Sequence, residues 1–177
     1  MVQGSHHLHQ LIHAARVQGL SDDLTLDEDC RRVIGTADRE KRLLTSQELR
    51  LICSATGSSA EVAVQIQIRA DALVDEARSR LLSEQPGLVQ QGGALHPAER
   101  AAACWRDCWQ FLRVVVYAYA CGRSCFSDPH GMSALRELYR LMGVPLMGLN
   151  IALQQLEDLT VSEVNDPCDQ ALFTAAF

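Results

Sequence analysis

The stretch PAERAAACWRDCWQFLRVVVYAYACG, residues 97–122, reads as one long helix and decides the fold class. Pro97 suits an early helical position, Glu99 complements the positive helix start, and Gly122 stands where a left-handed residue closes a last turn near Ala120. Beyond Cys104 the stretch is apolar on most faces, which predicts a helix inside the core.

Working outward, helical spacing continues on both sides. In residues 58–85, Val62, Ile66, Ala70, Leu73, Ala77 and Leu81 recur every three or four positions, giving one helix or two consecutive ones that end at Pro86-Gly87. Downstream, Ser127-Asp128-Pro129 marks a helix start and Ala134 to Met142 a short helix closed by Gly143-Val144-Pro145. Another helix covers about Leu146 to Leu159. Cys168 to Phe177 reads as the opening of a last helix, cut off while its pattern continues. Upstream, residues 32–44 and 46–55 form a helical hairpin joined around Thr45-Ser46, with Ser46 as cap and Glu48 in the first turn. Residues 5–19 make a further amphipathic helix, and Ser21 to Asp29 is an acidic connector. Apolar and polar residues nowhere alternate for long, so the chain is all-α.

Composition narrows the function. At 177 residues, with 47% hydrophobic and 21% charged residues, the chain has the size and make-up of one globular domain. Its formal charge of −6 and lack of a Lys-Arg cluster exclude the electrostatic footprint of a nucleic-acid binder. The longest apolar run, Val114 to Cys121, falls far short of the roughly 20 residues that span a bilayer. The first 20 residues do not read as a secretory signal, and the expectation from them is a chain that stays inside the cell. Seven cysteines without a repeated CxxC suit free thiols in a reducing compartment.

Motifs for nucleotide, metalloprotease, hydrolase or calcium chemistry are missing, which argues against catalysis. His9 and His13, four apart, read as a solvated or interface face rather than a metal pair, and Cys104/Cys108 and Cys121/Cys125 as core packing. No metal site is expected. The informative group is Cys104, Arg106 and Asp107, where thiol, guanidinium and carboxylate share one turn beside the small residues 101–103. Arg106 would favour the Cys104 thiolate and Asp107 oppose it. A linear tetrapyrrole could use all three: a thioether to the thiol, pyrrole N–H bonds to Asp107, a propionate on Arg106. Asp107 would also stabilise the protonated pigment.

The surroundings of this triplet carry a resemblance. Ala37-Asp-Arg-Glu-Lys-Arg-Leu-Leu-Thr-Ser-Gln-Glu-Leu49, Glu84-Gln-Pro86-Gly-Leu-Val, Gly92-Gly93, the Cys104-x-Arg-Asp107 helix and Arg136-Glu-Leu-Tyr139 with Leu141-Met-Gly143-Val-Pro145 resemble the phycobiliprotein family. Within it the spacing is most similar to the α-type subunit of allophycocyanin. The resemblance covers about residues 33–160 and implies a globin-like helical bundle (about 58–177) preceded by a two-helix hairpin (about 32–57) that docks a partner. Residues 1–31 are an N-terminal extension without a counterpart in the ordinary subunit, which points to a specialised or minor member. The resemblance further implies a light-harvesting function with phycocyanobilin covalently attached at Cys104 and contacted by Arg106 and Asp107. Ala94-Leu95-His96 replaces the family's Asn-Ala-Tyr, and Gln110-Phe111 its paired tyrosines. Trp105, Trp109, Gln110, Phe111 and His130 are the further candidate pocket residues.

Implied partners are a β-type allophycocyanin subunit in a heterodimer and ring, phycobilisome core or linker proteins, and a bilin lyase. The implied location is peripheral, on the cytoplasmic face of the thylakoid membrane in a cyanobacterium or plastid. Two alternatives differ in class: a non-pigmented or weakly pigmented structural subunit, and a haem-binding globin, which the histidine positions disfavour.

Overall fold

The computed structural model describes residues 2–177. Within them the chain forms α1 (Val2–Ala14), α2 (Glu28–Arg39), α3 (Ser46–Thr56), α4 (Ala60–Glu84), α5 (Ala98–Ala120), α6 (Pro129–Met142), α7 (Leu146–Ser162) and α8 (Pro167–Ala176). The all-α reading holds: the described residues contain no strand, only a single antiparallel bridge between Gln18 and Ser127.

Helix α5 is the axis of the molecule. Every residue from Leu112 to Cys121 is buried, and α4, α7 and α8 pack around this stretch, with Phe173 of α8 stacked on Tyr119 at 4.3 Å between ring centroids. Cys121 ends the helix and Gly122 follows with φ +62, the left-handed conformation glycine adopts without strain. Helix α4 is a single element, started by the Ser59 side chain accepting from the Val62 N–H. The apolar stripe read from the sequence, Ile66, Ala70, Leu73, Ala77 and Leu81, is its buried face.

Among the boundaries that differ from the sequence reading, three have a local hydrogen-bonding reason. Helix α2 starts at Glu28, not near residue 32, because Asp27 caps it by accepting from the Asp29 N–H, while Glu28 and Asp29 suit the positive helix start. The acidic connector thus supplies a helix start. The cap of α3 is Thr45, not Ser46: its side chain accepts from the Glu48 N–H and Glu48 accepts from the Thr45 N–H. Helix α1 ends at Ala14, and the chain then runs as a strap across the α5–α6 loop. There the Gly19 N–H donates to the Phe126 carbonyl (2.7 Å) and the Asp128 N–H to the Val17 carbonyl (2.8 Å).

The hairpin α2–α3 buries Ile34, Ala37, Leu49, Ile52 and Cys53 within this chain's own core. Leu20, Leu26 and Cys30 join that core from the extension, and α1 lies against α6.

Candidate functional site

Between α5, α6, the end of α2 and the strap lies a cleft of about 890 Å³, a size usual for sites that hold organic ligands. Helix α5 contributes Arg106, Asp107, Gln110 and Phe111, and α6 contributes Leu135 and Tyr139. Asp38, Arg39 and Lys41 approach from α2 and the turn after it, and Ile12, His13 and Val17 from the extension. Phe111, Leu135, Tyr139 and Val17 also line an adjoining cavity of about 600 Å³ that reaches Leu149 and Leu153 of α7 and Phe177 at the chain end. The two cavities adjoin along Val17, Phe111, Leu135 and Tyr139; the first carries Arg39, Lys41 and Arg106, and the second is lined mainly by apolar side chains.

Asp107 is the polar centre. Burial raises its pKa, opposed by a hydrogen bond from the Tyr139 hydroxyl (2.8 Å) and by the nearby charges of Arg106 and Lys41. Burial and the adjacent Asp107 carboxylate push the Tyr139 phenol up. One turn before Asp107 on the same face is Cys104, only 5% exposed. The neighbouring Cys108 thiol holds the Cys104 pKa below the ordinary thiol value, while burial and Asp107 push Cys104 the other way. Arg106, whose side chain is exposed, is not among the groups that shift the Cys104 thiol. All seven cysteines are unpaired, five of them buried.

Residues 32–177 match the family described as "Phycobilisome protein". The chain is 34% identical to the C-phycocyanin beta chain of Aglaothamnion neglectum over 138 residues, 76% of this chain and 80% of that one. Identity to the C-phycocyanin beta chain of Galdieria sulphuraria is 33%, covering 77% and 81% of the two chains. It is 31% to the C-phycocyanin beta subunit of a Nostoc species, covering 77% and 80%. The chain belongs to the phycobilisome protein family. Its fold is the family's all-α, globin-like one, and its function is that of a light-harvesting antenna component. These relatives are phycocyanin β chains, so the likeness is shared at the level of the family and does not single out the α-type of allophycocyanin.

In this phycobilisome protein the candidate residues divide between two faces of α5. Arg106, Asp107, Gln110 and Phe111 meet at the cleft. Trp105 and Trp109 turn toward α4: the Arg78 guanidinium lies 5.9 Å from the Trp105 ring centre, and the Trp109 indole N–H donates to Asp71 at 2.9 Å. Two residues of α5 differ in direction by about 200°, so Trp105 and Asp107 face different neighbours. His130 is exposed in the first turn of α6 and is not brought to the cleft. Sequence reasoning passed over Tyr139, Lys41 and the extension residues. Tyr139 stood inside the Arg136-Glu-Leu-Tyr139 segment, but nothing local linked it to Asp107, 32 positions earlier.

Proposed function

We propose that the chain is a pigmented antenna subunit holding phycocyanobilin, or a similar open-chain tetrapyrrole, as a thioether on Cys104. The supporting observation is a half-buried carboxylate, Asp107, facing a cleft of about 890 Å³ one turn from a thiol in a pigment-protein family. The cleft residues fit the group, whereas the buried Cys104 thiol lines neither cavity and must be uncovered for attachment. Asp107 accepts from pyrrole N–H groups and stabilises their protonated form. Arg106, with Lys41 and Arg39 lining the same cavity, suits propionates, and Phe111, Leu135 and Val115 suit the flat apolar skeleton. When bound, such a pigment supplies a conjugated system that absorbs visible light.

Cys104 adds across an exocyclic double bond: the S–C bond forms and the thiol proton passes to the neighbouring carbon, with no oxidant and no leaving group. Its burial supports assistance by a lyase, and the Tyr139 hydroxyl must give up Asp107 for the carboxylate to receive the pigment. The chain does no turnover chemistry; its residues hold the pigment extended and dry. The residue pattern supports a minor allophycocyanin-like α-type subunit paired with a β-type partner in a ring joined to core or linker proteins. The β-chain relatives support the converse pairing with an α-type partner. Either assembly sits peripherally on the cytoplasmic face of the thylakoid; no described helix is long and apolar enough to cross a membrane.

A second reading, a colourless structural subunit of the same assembly, is favoured by one observation: Asp107 is already satisfied by Tyr139 and Cys104 is closed off. Co-expression with phycocyanobilin-forming enzymes, a lyase and each partner type, followed by zinc-stained denaturing electrophoresis, separates the two. Red-absorbing, zinc-fluorescent chain that loses covalent colour in Cys104→Ser yet still pairs supports the pigmented reading. Covalent pigment retained in that variant overturns the site, and a colourless chain that pairs establishes the structural reading.

A further inference from the structure

We infer that the N-terminal extension is a fixed wall of the pigment cleft, with Ile12, His13 and Val17 touching the pigment and shielding it from water. This rests on the pigmented reading above and adds residues lying outside the family match, which begins at residue 32. Ile12, His13 and Val17 line the cleft opposite Arg106 and Asp107. Val17 also borders the adjoining cavity, so it stands where the two cavities meet.

The wall is held firmly. Arg16 donates from Nε to Asp128 at 2.7 Å and from Nη2 to Asp22 at 2.7 Å, and the strap's two backbone hydrogen bonds tie it to the α5–α6 loop. On the far side Gln18, 3% exposed, donates to Asp38 at 2.7 Å, and Leu20 is buried. Strap and α6 are so close at Gly131 that a Cβ there would stand 2.5 Å from the Arg16 carbonyl oxygen, a separation real side chains do not adopt. At the mouth of the cleft Ile12 is still 52% exposed. A large apolar side chain, carried on an anchored element and half-open at a cleft rim, gains burial when a flat apolar ligand enters.

The test loads the full-length chain with phycocyanobilin and compares it with full-length Gly131→Ala, which pushes the strap away without substituting any residue of the cleft lining, and with the double variant Ile12→Ser, His13→Ser, which alters the rim at exposed positions. Amide hydrogen exchange of residues 12–19, followed with and without pigment, gives a readout independent of colour. The expected result is at least tenfold slower exchange there on loading. The variants are expected to show a shifted absorption maximum and several-fold faster bleaching by peroxide. Covalent pigment in the full-length chain with unchanged exchange at 12–19, or with identical spectrum and bleaching in both variants, overturns the wall and leaves the cleft reading standing. A full-length chain that takes no pigment overturns the cleft reading itself, and the wall with it. Should Gly131→Ala lose its helical circular dichroism, the double variant decides alone.

Discussion

The hydrogen bond from Tyr139 to Asp107 is the smallest unit on which the site depends, because it decides how much of the carboxylate's charge survives in a half-buried place. Burial raises the Asp107 pKa and the Tyr139 hydroxyl lowers it, so removing the hydroxyl leaves burial less opposed. In Tyr139→Phe the Asp107 carboxyl carbon is expected to titrate at higher pH than in the parent, as followed by carbon NMR. A hydrogen bond to a charged group is worth about 1.5–3 kcal/mol, so urea denaturation at pH 7 should show a loss near the lower end, given that Asp107 keeps some solvent. A titration unmoved by the substitution would remove Tyr139 from the site. The sequence showed half of this arrangement. Cys104, Arg106 and Asp107 lie on one helix, where spacing alone determines which side chains are neighbours. Tyr139 and Lys41 come from other elements, and no periodicity within α5 refers to them. The tryptophans misled for the opposite reason: adjacency in sequence to Cys104 and Asp107 is not adjacency on a helix, and Trp105 and Trp109 serve the packing of α4.

Helices were legible where their stripes are long, as in α4 and α5, and less so where a cap competes with composition. Asp27 starts α2 through one side-chain hydrogen bond and Thr45 starts α3 through a reciprocal pair with Glu48, which the acidic run before α2 and the serine beside Thr45 concealed. At α3 the cap also carries a pH response. Glu48 accepts from the Thr45 N–H at 2.7 Å and from both terminal nitrogens of Arg42 at 2.8 and 2.9 Å, and the Arg42 guanidinium holds its pKa down to about 2. A carboxylate depressed in the folded state adds stability above its unfolded pKa, about 4.3, and loses it as pH falls from there toward 2. With the glutamate side chain 21% exposed and the arginine 33%, solvent screens part of the gain. Glu48→Gln is therefore expected to cost about 1–2 kcal/mol at pH 7. The gap to the parent should close substantially by pH 3, measured by urea denaturation at both pH values. A gap that stays constant with pH would show that the ionised form is not what the cap uses.

At the scale of the whole molecule, one buried guanidinium joins parts that the sequence presents as separate. Arg113, in the middle of α5, donates to Gln110 at 2.7 Å, to the Tyr117 hydroxyl at 2.8 Å and to Asp38 of α2 at 2.8 Å. Tyr117 in turn donates to the Arg42 carbonyl, and Asp38 also accepts from Gln18 of the strap. Extension, hairpin and core helix thus meet at Asp38, although the boundary that the family resemblance implies near residue 31 sets the extension apart from the other two. The Arg113 side chain is 6% exposed and Asp38 23%, so losing the guanidinium strands a carboxylate that water reaches only in part. Breaking such a pair from one side costs about 3–5 kcal/mol when both partners are fully buried, and the partial exposure of Asp38 brings Arg113→Met to about 2–4 kcal/mol in urea denaturation. Because Gln18 and Arg113 share Asp38, their losses should not add. Gln18→Leu is expected to cost less in the Arg113→Met background than in the parent, by at least about 0.5 kcal/mol. Strict additivity would mean that strap and core helix stand independently, each held by its own apolar contacts, with Asp38 merely near both.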